Sequence, residues 1–180
     1  MTEARITEVL KKAGALRITR PDWKKNGLRL SAEIAPEKIQ EVCSLLLKEG
    51  YTLLDLSAAE FQEGFLATYH LDNFQDPFRL ALRVLIDREK AEIPSVASVY
   101  QGAEWHERES ADFFGLKFSG NPNPVPLLLP HDLPLPPPLL KKPEALASLS
   151  ALNFLGDELY SAPPEKAGDE DRGKGDGKDA

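Results

Sequence analysis

Cysteine is almost absent from this sequence, since Cys43 is the only one among 180 residues. A single thiol forms no disulfide within the chain, and it cannot alone supply the thiolates of a zinc site or an iron–sulfur cluster. Cys43 also falls on the apolar side of a predicted helix, where a small core residue is expected rather than a reactive thiol. The cysteine content therefore predicts no cysteine-ligated metal centre in this chain and a reducing, cytoplasmic setting.

Long apolar runs, glycine-rich loops and an excess of basic residues are also missing. No window approaches the roughly 18 consecutive apolar residues that a membrane-spanning helix needs. Residues 1–14 carry acids and lack a continuous apolar run, so they do not resemble a signal peptide. A nucleotide site has no support, because no Gly-rich loop joins a strand to a helix. The formal net charge of -7 argues against nucleic acid and favours a protein partner or simple solubility.

Two hydrophobic periodicities divide the first 120 residues into helices and strands. The last two strands are joined by the turn residues NFQDP, which predicts an antiparallel hairpin. Because the helices come early and adjacent strands follow, residues 1–120 are predicted to form a single α+β domain, in which helices pack on a mixed, mainly antiparallel sheet. The predicted order is helix 2–14, strand 27–34, helix 36–50, then strands 51–58, 64–72 and 78–87.

Proline changes the character of the chain after residue 120. The segment 121–143 holds nine of the 15 prolines, which exclude helix and favour an extended path, yet it is also rich in leucine. We therefore predict a Pro-rich extended arm over 121–142 that lies on an apolar surface, either of this domain or of a partner. A C-terminal helix is predicted over 143–156, followed by a mobile charged tail over 157–180.

The segment 104–115, EWHERESADFFG, concentrates four carboxylates, three aromatic side chains and one arginine. In a helix, Glu104, Arg108 and Asp112 lie on one ridge, so Arg108 is expected to pair with at least one carboxylate, from Glu104, from Asp112 or from across an interface. Aromatic side chains beside arginine and clustered acids are typical of a protein interface, where aromatic area gives affinity and ion pairs fix the register. The aromatic residues expected to fill apolar space against the sheet or a partner are Trp105, Phe113 and Phe114.

Three other interpretations of this segment stay open. His106 and Glu109 lie one helical turn apart and suggest a metal site, although no second ligand pair stands near His70 or His131. A free-standing hydrolase that uses Glu107, Glu109 and His106 is the second interpretation, but carboxylates on one helix do not face each other across a cleft. The third is a charged, solvated helix face with ion pairs one turn apart.

Residues 93–122 resemble the signature of the C subunit of respiratory NADH:quinone oxidoreductase (complex I), a family that includes homologous subunits of energy-converting nickel–iron hydrogenases. The family motif opens with a Pro-Ser pair, matched here by Pro94 and Ser95. Two departures are visible. Asn121 takes the place of the family's histidine, and PLPPPLLKK at 134–142 replaces the usual Trp and Pro-Leu-Arg-Lys-Asp ending. The other matching positions are Trp105, Glu107, Arg108, Glu109, Asp112, Gly115, Phe118, Gly120 and Pro122.

The resemblance covers roughly residues 30–142 and implies a cofactor-free structural subunit of the hydrophilic arm of a proton-translocating NADH:quinone oxidoreductase. Such a subunit packs against the large hydrogenase-like subunit that forms part of the quinone cavity, with the signature residues at the partner interface. It has no catalytic or metal-binding residue of its own. Iron–sulfur clusters, flavin or a nickel–iron centre are expected in partner subunits.

The same resemblance implies a peripheral location on the cytoplasmic side of the inner membrane, with membrane contact only through the complex. Nucleic acid is not an expected partner. The runner-up is the equivalent subunit of an energy-converting nickel–iron hydrogenase or formate hydrogenlyase.

Overall fold

A six-stranded sheet forms the centre of the computed structural model, which describes residues 3–130, 136–151 and 156–163. The α-helices in this part of the chain are α1 (Glu3–Lys12), α2 (Trp23–Asn26), α3 (Ile39–Lys48) and α4 (Ala103–Phe114). The strands are β1 (Arg17–Arg20), β2 (Leu30–Glu33), β3 (Thr52–Phe61), β4 (Gly64–Asp72), β5 (Leu80–Ile86), β6 (Glu92–Pro94), β7 (Lys117–Ser119) and β8 (Asp157–Ser161). Short 3₁₀ turns occur at Pro36–Lys38, Pro143–Ala145 and Leu149–Ala151.

The strands of the large sheet lie in the order β3-β4-β5-β2-β1-β8. The pair β2 and β5 runs parallel, and the other neighbouring pairs of this sheet are antiparallel. The predicted hairpin is present, with Tyr69 opposite Leu82 and an unbroken register from Phe65 to Leu71. The prediction of an α+β fold with a mixed, mainly antiparallel sheet packed by helices is therefore confirmed.

The hydrophobic core joins one face of this sheet to α1 and α3. Alternate residues of β4 and β5 belong to this core, although most of the residues between them are buried as well. Burial of each large apolar side chain contributes about 1.5–3 kcal/mol to folding. Cys43 lies in the same core, where removal from water raises the pKa of its thiol and keeps it protonated. Representative core residues are Ile6, Leu10, Val42, Leu46, Tyr69, Leu71, Leu80, Leu82 and Val84.

Helix α4 is held beside β3, the edge strand of the sheet. At its C-terminus Gly115 has φ 72°, and this left-handed conformation, which glycine adopts without strain, ends the helix. The next strand, β7, pairs in parallel with β6, so that Phe118 lies opposite Ile93 and both are buried. Phe114 packs edge-on against Phe65 of β4, with ring centroids 6.5 Å apart. These contacts fix the position of the signature residues relative to the sheet.

The chain after residue 142 differs from its prediction. Instead of an α-helix over 143–156, it forms two separate 3₁₀ turns, and residues 152–155 lie outside the described range. The carbonyl of Leu146 accepts a hydrogen bond from the Gln62 side chain, and that of Ala147 accepts one from the Gln62 N–H. Both carbonyls therefore bind the β3–β4 turn rather than N–H groups of a continuing helix.

The charged tail predicted as mobile over 157–180 begins with a strand. Its first five residues form β8, which pairs with β1 and places Tyr160 opposite Ile18. The N–H of Ala162 then donates to the carbonyl of Leu16. Residues 164–180 lie outside the described range, so the mobility predicted for them stays a prediction.

The proline-rich segment is described at 121–130 and 136–142, and neither part forms an α-helix or a strand. The longest described helix has 12 residues, and none in the described part of the chain is long and apolar enough to cross a membrane. Contacts with α4 determine the path of residues 121–130.

The turn between β3 and β4 depends on Gly64. Its φ is 145°, and a Cβ at this position would lie 2.4 Å from the carbonyl oxygen of Ile86 on β5. Gly64→Ala should lower the free energy of unfolding by at least about 2 kcal/mol, because both the backbone conformation and the strand spacing must change. Urea unfolding checks this, with Gly102→Ala as the matched control, since a Cβ there meets nothing within 4 Å. Equal losses in the two variants would contradict the prediction.

Candidate functional site: a helix that clamps the proline-rich segment

The charged residues of α4 do not form one solvated ridge. Glu107 is fully buried, Arg108 is partly buried, and Trp105 is 62% exposed. The helix predicted over this segment is confirmed by α4 itself. However, Glu107, Arg108 and Asp112 each bind a different part of the chain, so a simple charged face is the wrong description.

Glu107 points into the protein and ties two chain segments to α4. Its Oε1 accepts a hydrogen bond from the Val96 N–H at 2.7 Å. Its Oε2 accepts hydrogen bonds from the Ser95 hydroxyl and from the Asn121 amide, both at 2.7 Å. Hydrogen bonds to a charged group contribute about 1.5–3 kcal/mol each. One carboxylate therefore joins the loop after β6 and the segment after β7 to the helix.

Removal from water raises the pKa of Glu107 above that of an ordinary glutamate, although its three hydrogen bonds act in the opposite direction. With a raised pKa, the folded chain holds this proton more tightly than the unfolded chain does. The protonated carboxyl therefore contributes stability that is present below the ordinary pKa of glutamate. That contribution is lost as the pH rises through the pKa of the folded state.

Arg108 binds the backbone carbonyls of the proline-rich segment. Its Nε donates to the carbonyl of Val125 at 2.8 Å, and its Nη2 donates to the carbonyl of Pro126 at 3.1 Å. Its Nη1 lies 3.3 Å from Oε1 of Glu104, one turn earlier on α4. The planar guanidinium offers donors in fixed directions, which suits two successive carbonyls and one carboxylate. The predicted pairing of Arg108 with a carboxylate of its own helix is thus confirmed with Glu104.

Asp112 binds the next three backbone groups of the same segment. Its Oδ2 accepts hydrogen bonds from the N–H groups of Leu127 at 3.0 Å, Leu128 at 2.7 Å and Leu129 at 3.0 Å. Successive N–H groups that converge on one point form a concave anion site, and here a side chain of the same protein fills it. Helical spacing places both Glu104 and Asp112 one turn from Arg108. Glu104 forms the ion pair with Arg108, whereas Asp112 accepts hydrogen bonds from backbone N–H groups.

Residues 121–129 are therefore fastened along α4, and we call them the clamped segment. From Asn123 onward the segment runs beside the helix in the same direction, with contacts at Glu104, Arg108 and Asp112 on successive turns. Between these contacts, Pro122 is exposed at the start of the segment. The contacts, in order, join Asn121 to Glu107, Asn123 to Glu104, Val125 and Pro126 to Arg108, and Leu127, Leu128 and Leu129 to Asp112.

The clamped segment and α4 together present apolar side chains to solvent. Leu128 is 59% exposed, Val125 is 43% exposed, and most of the Trp105 side chain is also exposed. The contact of Trp105 with a partner stays a prediction. The backbone of the segment is thus occupied by α4, whereas these side chains are left available for contact.

Three other predicted site residues lie at the end of α4 or beside it. Gly115 ends α4, Phe118 is buried in β7, and Phe113 borders a depression beside β3. A cavity of about 470 Å³ lies between α4, β7 and the clamped segment, lined by apolar residues and by charged ones such as Lys117.

The hydrolase interpretation is not supported by the geometry. Glu107 is buried with both carboxylate oxygens occupied, whereas Glu109 is exposed on another side of the helix. They do not form an open pair of carboxylates with His106, as general acid–base chemistry would require.

The predicted metal site paired His106 with Glu109, but in the structure His106 and His70 both lie near Asp55. Nδ1 of His106 lies 3.6 Å from Oδ1 of Asp55, and Nδ1 of His70 lies 3.6 Å from the other oxygen of Asp55. Within residues 3–130, 136–151 and 156–163, no three His, Cys, Asp or Glu side chains are placed to hold a metal ion. His131 lies outside these ranges.

Comparison with known families gives a match that spans both α4 and the clamped segment. The family described as "Respiratory-chain NADH dehydrogenase, 30 Kd subunit" matches residues 32–146, which is more than half of the chain. This chain belongs to that family. The resemblance expected from the signature at 93–122 is therefore confirmed.

Curated relatives of this chain include subunits of an F(420)H(2) dehydrogenase and of an NADH-quinone oxidoreductase. The C subunit of the F(420)H(2) dehydrogenase of Methanosarcina mazei is 32% identical over 134 residues, which cover 71% of this chain and 84% of the relative. The C subunit of the NADH-quinone oxidoreductase of a Roseiflexus species is 31% identical over 142 residues, which cover 75% of this chain and 81% of the relative. The relatives thus carry names with different electron donors.

Two solved structures resemble the 30 Kd fold seen here. A trypsin-resistant fragment of Nqo5 superimposes with a TM-score of 0.58 and 26% identity, covering 68% of this chain and 99% of the fragment. A chain from the membrane-bound sulfane sulfur reductase, an archaeal respiratory membrane complex, gives a TM-score of 0.56 and 27% identity. The match covers 66% of this chain and 71% of that one.

The two departures from the 30 Kd family signature have structural roles. Asn121 stands where the family motif has histidine, and its amide donates to Glu107. An imidazole N–H can make the same bond, so the replacement keeps a donor at this position. In the altered segment 134–142, the N–H of Leu139 donates to the carbonyl of Phe113 at the end of α4.

Sequence reasoning missed the groups that Arg108 and Asp112 bind. They are backbone carbonyls and N–H groups, which are chemically the same at every position and give no signal in the residue types. Asn123 does carry a signal, because Asn-x-Asn in a proline-rich run is typical of side chains that bind nearby backbone. Oδ1 of Asn121 indeed accepts the N–H of Asn123 at 2.9 Å.

Glu107→Gln tests the buried carboxylate. Because the pKa of Glu107 is raised in the folded state, the wild-type chain should lose stability relative to the variant as the pH rises from about 4.3, the ordinary value for glutamate. Urea unfolding of both proteins between weakly acidic and neutral pH measures this difference. Glu109→Gln, at an exposed position of the same helix, should show no such trend. A difference that does not change with pH would contradict the assigned burial of this charge.

Proposed function

We propose that this chain is a structural subunit of the hydrophilic arm of a membrane-bound respiratory oxidoreductase of the NADH:quinone oxidoreductase type. It packs against the large hydrogenase-like subunit that encloses the quinone cavity, on the cytoplasmic side of the membrane. Iron–sulfur clusters, flavin or a nickel–iron centre belong to partner subunits. This chain holds none of them and contributes assembly rather than chemistry.

This proposal rests mainly on the groups that Arg108 and Asp112 bind. Both are signature residues, and both bind backbone of the clamped segment instead of facing an open cleft. With these backbone groups occupied, a partner does not bind the segment by adding a strand. It binds side chains, and a fixed backbone lowers the entropy lost on association. The exposed side chains of Trp105, Val125 and Leu128 are suited to that contact.

The names of the relatives support the same role. One relative is named as the C subunit of an NADH-quinone oxidoreductase, and one structural neighbour is part of a respiratory membrane complex. The single cysteine is consistent with redox centres in other chains.

A second candidate is the equivalent subunit of an energy-converting complex with another electron donor or acceptor, such as a nickel–iron hydrogenase or formate hydrogenlyase. Asn121 in place of the family's histidine and the altered segment 134–142 favour it. So do relatives named for F(420)H(2) and for sulfane sulfur. The role of this chain is the same in both candidates, and they differ in the subunits that co-purify with it.

Arg108→Ala in the native complex tests the proposal. The carbonyls of Val125 and Pro126 lose their donor and Glu104 loses its ion pair, so the middle of the clamped segment should be held less firmly while the core stays folded. Assembly should weaken by about 2–5 kcal/mol if the remaining carboxylate is desolvated at the interface. The large subunit should then fail to co-purify with the tagged chain from native membranes.

Arg5→Ala is the matched control, because it removes another arginine that pairs with a carboxylate, Glu49, on a different surface. It should assemble like the wild type. Blue-native electrophoresis with mass spectrometry of the co-purifying chains distinguishes the outcomes. A fully assembled Arg108→Ala complex with slow turnover would show that α4 acts in chemistry instead.

A further inference from the structure

A depression between α4 and β3 lies on a different side of the helix from the clamped segment. Its volume is about 270 Å³, and it is lined by part of β3, by the second half of α4 and by Leu139. Glu109 and Phe113 border it, and each comes one residue, or about 100° of helical turn, after a residue that binds the clamped segment. We call this surface the α4–β3 depression.

Two carboxylates give the α4–β3 depression its charge. They belong to Asp55 and Glu109, and in the described part of the chain no lysine or arginine lines the depression or forms an ion pair with either of them. Asp55 lies 3.6 Å from Nδ1 of His70 and from Nδ1 of His106, which is longer than an ordinary hydrogen bond. Burial lowers the pKa of His70, so its imidazole does not neutralise Asp55 at neutral pH. The depression is therefore acidic.

Basic side chains on this side of the molecule are held elsewhere. Arg88 lies over the Phe65 ring, which packs against Phe114, and it pairs with Glu60. The backbone N–H of Lys141 donates to the same carboxylate, and its ammonium forms no ion pair with the described residues. The charge of the depression is thus left for a cation from outside the described chain.

Ser110 adds a hydroxyl without a partner. The residue lines the same depression although only 4% of it is exposed, and its hydroxyl makes no hydrogen bond to any described residue. A buried hydroxyl without a partner lowers stability, so native structures rarely keep one. This observation is independent of the two carboxylates and indicates that a hydrogen-bonding group from outside reaches the depression.

The size and the walls of the depression suit one planar cation. Pockets for small molecules usually measure about 300–1,000 Å³, so this smaller space fits a single side chain. Phe113, Phe114 and Leu139 supply aromatic and apolar walls. A guanidinium stacks on aromatic rings, is weakly hydrated and offers five donors, whereas a lysine ammonium is a strongly hydrated point charge.

We propose that the α4–β3 depression receives an arginine side chain of a partner subunit. Its guanidinium pairs with Asp55 and Glu109 and donates to the Ser110 hydroxyl, while its apolar stem packs against Phe113. Trp105, one turn before Glu109, is exposed on the same side of α4, so a partner that covers Trp105 also reaches the depression. The inference rests on the proposed function for the presence of a partner, and it names the chemistry that this partner presents.

Binding of Nα-acetyl-arginine amide to the isolated full chain tests the preference for a guanidinium. The amide signals of Ser110 and Phe113 should shift in NMR spectra, with an affinity at least about tenfold higher than for Nα-acetyl-citrulline amide, which has the same shape but no charge. Asp55→Asn with Glu109→Gln should remove this preference. Glu37→Gln with Glu89→Gln is the matched control, because it removes two exposed carboxylates elsewhere, and it should bind like the wild type.

Equal affinity for the arginine and citrulline compounds, or a preference that survives in the Asp55/Glu109 variant, would overturn the proposal. Equal affinity for Nα-acetyl-lysine amide would show a merely acidic surface and would also contradict it. This measurement uses only the isolated chain, so its result does not depend on the Arg108→Ala assembly test of the proposed function.

Phenylglyoxal, which modifies accessible arginines, tests the contact in the native complex. One arginine of a neighbouring chain should be protected in the wild type and react at least about tenfold faster in the Asp55/Glu109 variant, as read by mass spectrometry. The Glu37/Glu89 control should keep the wild-type pattern. If the Asp55/Glu109 variant alone fails to assemble, the depression lies at the interface and the citrulline comparison decides its chemistry. If the only arginine that changes is Arg172 of this chain, the occupant is its own C-terminal segment and the partner contact is wrong.

Discussion

One carboxylate oxygen, Oδ2 of Asp112, accepts three successive backbone N–H groups, and the shape of the site depends on it. A proline-rich run makes few hydrogen bonds of its own, so its course must be set by an outside group. Arg108 completes the arrangement by binding the two carbonyls just before those N–H groups. Hydrogen bonds with one ionised partner are roughly twice as strong as neutral ones. Two side chains thus give a defined surface to a segment that lacks regular structure.

The orientation of α4 depends in turn on Glu107. A buried carboxylate without partners would cost several kcal/mol, and here three donors from two other segments offset that cost. With Glu107 directed inward, its neighbour Arg108 must lie along the flank that meets the clamped segment. The adjacent Glu and Arg of the signature therefore act in different directions, one towards the core and one towards the surface. This also explains why Asn121 can replace histidine, since the position requires an N–H donor.

Elements long enough to show a period were predictable from the sequence, as α3, β4, β5 and α4 illustrate. Strands of three or four residues, such as β6 and β7, are too short for a period, and β8 was hidden in a stretch whose composition suggested a mobile tail. At the site, helical spacing predicted a pair of Arg108 with Glu104 or Asp112, and the pair with Glu104 is present. The burial of Glu107 was not predictable, because a glutamate on a helix faces solvent unless tertiary contacts supply donors.

Hydrogen exchange at the amides of Leu127, Leu128 and Leu129 in the isolated chain tests the clamp most directly. The account predicts slow exchange at all three in the wild type and fast exchange in Asp112→Ala, with the amide of Tyr69 in the core protected in both proteins. If the three amides exchange freely in the wild type, or equally slowly in the variant, then Asp112 does not hold this segment. The signature residues would then act on a partner directly.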